Sequence, residues 1–115
     1  RMSNPQLTPN DRNGAAWDLS SWARAGEPIE LSALWMGDIR IIHLPGEPMI
    51  EFQLHAQECG AGKFVATAGY GDGCPGYICT EQAFPEGGYE PTASRIVPES
   101  EAPFREAIRI LVTGA

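Results

Sequence analysis

One stretch constrains this chain more than any other: an apolar run that ends in Pro-Gly-Glu-Pro and passes at once into an amphipathic segment, IIHLPGEPMIEFQLHAQ over residues 41–57. Residues Ile39 to Leu44 are apolar on both faces, the pattern of a strand buried at the centre of a sheet rather than at its edge. Pro48 suits the first position of a helix, which makes Glu47 the expected N-cap of a helix running to about Glu58 and stopping at Gly60. Glu47 therefore stands at a strand-to-helix corner, where side chains project from a packed sheet into a cleft. An acid in that position is a helix cap or a ligand.

The surrounding pattern predicts an α/β fold. The stretch PIELSALWMGDIRIIHLPG reads as a β-hairpin whose two-residue turn, Gly37-Asp38, places glycine first, as a type II′ turn requires. KFVATAGY is a second central strand, with Phe64 to Gly69 lying parallel to Ile39–Leu44 and the intervening helix crossing over them. Coverage on both faces predicts burial of Ile41, Ile42, Phe64 and Val65. Upstream, GAAWDLSSWARAGE reads as one or two helical turns ending at Gly26, with Trp17, Leu19 and Trp22 as packing anchors. Residues 70–98 are too rich in Gly and Pro for long regular elements and predict an ordered loop with at most one helical turn near Thr80 to Phe84. SEAPFREAIRILVTG is an amphipathic C-terminal helix, with Phe104, Ala107, Ile108 and Leu111 on one face, Ser100 as N-cap and Gly114 as stop. The expected architecture is a small mixed sheet with a hairpin, a parallel β-α-β crossover and a C-terminal helix, part of a larger α/β fold. Residues 1–14 form a polar arm and 15–115 one domain or part of one.

Composition removes several functions. Fifteen acidic against eight basic residues give a net charge of −7, which repels phosphate backbones and disfavours nucleic acid as a partner. No run approaches the roughly 20 apolar residues that cross a bilayer. Cys59, Cys74 and Cys79 are odd in number and lack zinc-ribbon spacing, although Cys74 and Cys79 are placed to close a small loop. Arg1 in place of methionine, followed by a polar and turn-rich start, reads as the interior of a longer chain. An export signal, where the parent protein carries one, would lie before residue 1.

Right-handed crossover brings the carboxyl ends of two parallel strands to the same sheet edge, the usual place for sites in α/β proteins. Glu47 and Tyr77 would then meet. A carboxylate and a phenol, joined by two imidazoles, can hold zinc and leave a position open for water. The commoner roles for the same residues are a capping Glu and a buried Tyr with its hydroxyl satisfied.

LPGEPMIEFQLHAQ, AGYGDGCPGYICTEQAF and EGGYEPTASRIVPESE, in that order, resemble the carboxyl-terminal part of the neutral/alkaline non-lysosomal ceramidase family, in particular its short bacterial members. The resemblance runs from about Ile29 onward, and its more specific points are the PGE corner and the GY-x-x-T element. It implies a zinc-dependent amidohydrolase acting on an N-acyl, ceramide-like bond, with Glu47 and Tyr77 as two of the four zinc ligands. The other two are histidines that the resemblance places before residue 1, so this segment alone is expected to be inactive and to need the remainder of its parent chain. Tyr70 and Tyr89 are candidates to line a groove for a lipid-like amide, or cover the core.

The other chemistry-bearing residues have plainer roles. His43, on the core strand, reads as a hydrogen-bonded core histidine. Glu51 and His55 are spaced to chelate a metal but fit a polar helix stripe. Asp72 belongs to a turn, and Glu99 and Glu101 suit the start of a helix. The competing reading of the whole is a non-catalytic α/β module used for structure or binding, without metal. Under the enzyme reading, part of the core is covered by absent sequence, which predicts an exposed apolar patch and self-association.

Overall fold

In a computed structural model, residues 4–71, 73 and 75–115 are described. Asp72 and Cys74, and with them the readings that rest on those two residues, lie outside the described set; Cys59 and Cys79 are free thiols. In chain order the elements are α1 (Pro9–Ala23), β1 (Ser32–Met36), β2 (Ile39–Pro45), β3 (Glu47–Pro48), α2 (Ile50–Cys59), β4 (Phe64–Gly71), β5 (Tyr77–Ile78), α3 (Ala83–Glu86), α4 (Tyr89–Ala93) and α5 (Glu101–Thr113), the last entered through a 3-10 turn, Pro98–Ser100. The fold is α/β. No helix among the described residues is long and apolar enough to cross a membrane.

β1 and β2 form the expected hairpin, with Met36 opposite Ile39. Gly37 takes φ +58°, and Asp38 is not among the positive-φ residues, as a type II′ turn requires of its two central positions. β2 and β4 run parallel, pairing Ile39 with Phe64 through His43 with Ala68, before the ladder becomes irregular and Pro45 meets Gly71. The sheet order is β1-β2-β4, so β2 is central. β4 is the edge strand, not a second central one.

Residue alternation assigns the two faces of the sheet. Ile42, Leu44 and Val65 are buried against Phe52 and Ala56 of α2 and Ile108 and Val112 of α5, each of these side chains other than Ala56 contributing about 1.5–3 kcal/mol on leaving water. Phe52 and Phe104 join the two helices edge to face, centroids 4.9 Å apart. Arg40 is buried on this face, its guanidinium donating to the Gly37, Ile39 and Val112 carbonyls and lying 4.2 Å over the Trp35 ring. Trp35 Nε1–H donates to Leu111 O. Together they satisfy carbonyls in the last turn of α5, where the helix dipole favours a cation, and Gly114 ends that helix in the left-handed conformation.

The opposite face is open. Leu34, Met36, Ile39 and Phe64 are exposed, Phe64 by 66%, and Ile41 is half-buried. Burial of Ile42 and Val65 is as the sequence predicts; that of Ile41 and Phe64 is not, because the helices packed on this sheet cover one side only among the described residues.

Helix α1 is longer than its sequence suggested and crosses the 14/15 boundary drawn between arm and core. It starts at a capping box: Thr8 Oγ1 accepts from the Asp11 N–H while Asp11 Oδ2 accepts from the Thr8 N–H, with Pro9 at the first helical position. None of its residues is buried. Trp17 and Trp22 are exposed by 49% and 76%, so the tryptophans are not core anchors. The helix is tied instead by Arg95, which bonds Asp18 at 2.8 Å and lies 5.2 Å over the Trp17 ring. The Gly/Pro-rich loop holds more structure than predicted, namely β5, α3 and α4. Pro85 and Pro91 each occupy the third residue of a single-turn helix, where the missing N–H has no intrahelical partner to lose.

Candidate functional site

The corner after β2 departs from its sequence reading in a way that matters for chemistry. Glu47 is not the cap of α2. That helix is entered through Met49, in an extended conformation and with no side-chain cap, while Glu47–Pro48 pairs with Tyr77–Ile78 as a second, two-stranded parallel ladder. The Glu47 N–H donates to Gly76 O at 2.9 Å and the Met49 N–H to Ile78 O at 3.0 Å. Pro48, which has no N–H, falls at the position between them that donates nothing to the ladder. Proline is tolerated in a strand at such a position, and this is why it does not begin the helix.

The register makes Glu47 and Tyr77 direct partners across this ladder, and both are half-buried. The two other tyrosines singled out in the sequence join them. Tyr89, the first residue of α4, packs edge to face on Tyr77 with centroids 5.8 Å apart. The phenol of Tyr70, at the end of β4, is pushed up chiefly by its interaction with the Glu47 carboxylate, with burial adding to it. The Tyr77 phenol is also pushed up, first by burial and then by the Glu47 charge, with Tyr89 and Glu90 adding to it. Both shifts favour the neutral phenols. Ser94 braces the ladder from outside, its hydroxyl donating to Tyr77 O at 2.8 Å.

The remaining candidates lie elsewhere. His43 is hydrogen-bonded as expected, with Nδ1 3.3 Å from Ser32 Oγ, but it is exposed and not in the core. It occupies the open face, with Ile39 and Ile41. His55 Nε2 donates to Arg105 O at 3.0 Å, which turns its ring toward α5. Glu51 borders a cavity of about 300 Å³ between α2, α3 and α5. Glu101 serves structure: it accepts from the Glu81 N–H and bonds Arg105 at 2.6 Å. Ser100 supplies no side-chain cap to α5, its hydroxyl donating to Val97 O instead. Among the described residues no three His, Cys, Asp or Glu side chains are placed to share an ion.

The sequence reading missed the left-handed backbone of Tyr70, φ +59°, which no residue pattern marks. Comparison of the chain with protein-family models, with curated proteins and with solved structures found no match.

Proposed function

We propose that the segment contributes part of a zinc site to a larger amide-hydrolysing enzyme of ceramidase type, with Glu47 and Tyr77 as two of its oxygen ligands. The observation that carries this reading is the pairing of Glu47 with Tyr77 across the β3–β5 ladder, at the edge where two parallel strands end. The donor chemistry fits in part. A carboxylate and a phenol are acceptable oxygen ligands, but a four-coordinate catalytic site wants two nitrogen donors as well, and neither His43 nor His55 is at this corner. Histidines from sequence before residue 1 would complete the set, and without them the segment binds zinc weakly and hydrolyses nothing.

When bound, zinc would polarise the amide carbonyl and activate water for attack. The chain's own residues supply position. Glu47 brings the negative charge, the β3–β5 ladder fixes its distance from Tyr77, and Tyr89 closes one side of the Tyr77 ring. A lipid-like N-acyl amide is the proposed substrate class, with Tyr70 and Tyr89 beside it.

The test uses the full-length parent protein. Glu47→Gln and Tyr77→Phe should each lower bound zinc, measured by elemental analysis, and reduce amidase turnover, with circular dichroism unchanged. Stoichiometric zinc and full turnover in Glu47→Gln would overturn the reading and leave the non-catalytic module in its place.

A further inference from the structure

The chain carries two apolar surfaces that do not cover each other. One is the open face of the sheet, where Leu34, Met36, Ile39 and Phe64 are exposed by 49%, 48%, 37% and 66%. The register sets them side by side, with Met36 opposite Ile39 and Ile39 opposite Phe64. Among the described residues no acidic or basic chain of Asp, Glu, Lys or Arg falls on that face, and its two polar residues, Ser32 and His43, bond each other at one end. The second surface is on α1. Leu19 and Trp22, three residues apart and so on one side of that helix, are exposed by 55% and 76%. Trp17 falls on a different side, under the Arg95 guanidinium. None of α1 is buried, and the radius of gyration, 16.4 Å, exceeds the roughly 13 Å of a compact chain of about this size. The helix stands off the core.

From these two surfaces we infer that the chain pairs with a second copy of itself, α1 of each copy lying across the open sheet face of the other. Arg95 ties one side of α1 to its own copy through Asp18 and Trp17, which leaves Leu19 and Trp22 for a neighbour. The dimensions agree. A helix of 15 residues is about 22 Å long and about 10 Å across, while a strand of 7 residues such as β2 is about 23 Å long and three strands span about 10 Å. One helix therefore covers one such sheet, and supplies the helical layer that this side lacks among the described residues. Area decides between this pairing and a simpler one. At roughly 200 Å² for a large side chain, these exposures amount to about 400 Å² on the sheet face and about 260 Å² on the α1 stripe. Two sheet faces packed on each other would bury about 800 Å² in all, no more than an incidental packing contact, whereas reciprocal exchange of α1 buries about 1,300 Å², within the range of stable interfaces. The pairing is two-fold, each copy giving one helix and taking one, and it is independent of the zinc reading.

Sedimentation equilibrium of the full-length protein tests this at two exposed positions whose replacement leaves the core alone. The unaltered protein should show twice the monomer mass at micromolar concentration. Trp22→Glu, Phe64→Glu and Phe64→Lys should each halve that mass, with far-UV circular dichroism unchanged. Mixing Trp22→Glu with Phe64→Lys should restore the doubled mass, because the mixed pair keeps one arm and one face intact and turns the second contact into an ion pair. A strict monomer before substitution would mean that sequence of the same chain covers the face, and would overturn the inference. A variant that keeps the doubled mass overturns it too: Trp22→Glu because two sheet faces would then be packed on each other, Phe64→Glu because two arms would. A mixture that stays monomeric would overturn reciprocal exchange.

Discussion

Gly46 and Gly37 have the same φ, +58°, in opposite surroundings, and the pair isolates what holds the candidate site together. At Gly37 an added Cβ meets nothing within 4 Å. At Gly46 it would fall on the Gly76 carbonyl oxygen, far inside contact distance, and 3.0 Å from Pro75 Cδ. Both Gly→Ala changes incur the left-handed cost of about 1–2 kcal/mol, offset by a similar gain from a stiffer unfolded chain. Those contributions cancel in the difference between the two variants. What remains is specific to Gly46: β3 and β5 must separate, and the Glu47 N–H to Gly76 O bond is lost or stretched, leaving the donor of a half-buried residue short of its partner at about 1–3 kcal/mol. Equilibrium urea unfolding should therefore place Gly46→Ala about 1–3 kcal/mol below Gly37→Ala at unchanged m-value. A difference under about 0.5 kcal/mol, the ordinary scatter of surface substitutions, would refute the claim that the corner is clamped directly against the 75–77 segment.

The pH dependence of stability should carry a contribution from Glu101: burial pushes its carboxyl up, but the Glu81 N–H and the Arg105 guanidinium outweigh this and hold it below the ordinary glutamate range. A carboxyl held down in the folded state adds stability that is fully present above its unfolded pKa and is lost as pH falls through the folded value, so Glu101→Gln should flatten the urea midpoint's decline below about pH 5; an unchanged slope would show that Glu101 is uncoupled from folding. On the open sheet face, Phe64→Glu should lower hydrophobic-dye binding and the weight-average mass in sedimentation at high concentration, with stability altered by no more than about 0.5 kcal/mol. Strict monomers without dye binding before the substitution would count against that face as the source of self-association.

Much of the fold is written in local chemistry, and the misreadings have identifiable causes. Gly37-Asp38, Gly60 and Gly114 mark their turn and helix ends because each position depends on a few adjacent residues. The parallel pairing of β2 with β4 follows from a strand, a ten-residue helix and a second strand in succession. Phe64 and Ile41 are less buried than their hydropathy predicts, because hydropathy records what a side chain prefers and not which layers are present to cover it. Trp17 and Trp22 fail for the same reason. The capping box Thr8-Pro9-Asn10-Asp11 was legible and would have placed the start of α1 correctly. A Gly- and Pro-rich tract predicts loop, but proline breaks helix interiors and not single turns, so Pro85 and Pro91 sit in α3 and α4.

The site was legible as a meeting of two segments, yet the sequence left the role of Glu47 undecided between cap and ligand. The structure removes the capping role, because Met49 enters α2 and the backbone N–H groups of the corner are otherwise engaged. Glu47 N–H bonds Gly76 O, Met49 N–H bonds Ile78 O and Tyr70 N–H bonds Gly46 O. These three bonds hold the corner through main-chain atoms alone, so the Glu47 carboxylate has no part in them. Removing its charge should then be structurally cheap, within about 0.5 kcal/mol as for other surface substitutions, where loss of a capping side chain would cost about 1 kcal/mol. That contrast makes Glu47→Gln a clean probe: a large loss of stability would return the residue to a structural role, and an unchanged fold makes any change in metal content attributable to the carboxylate itself.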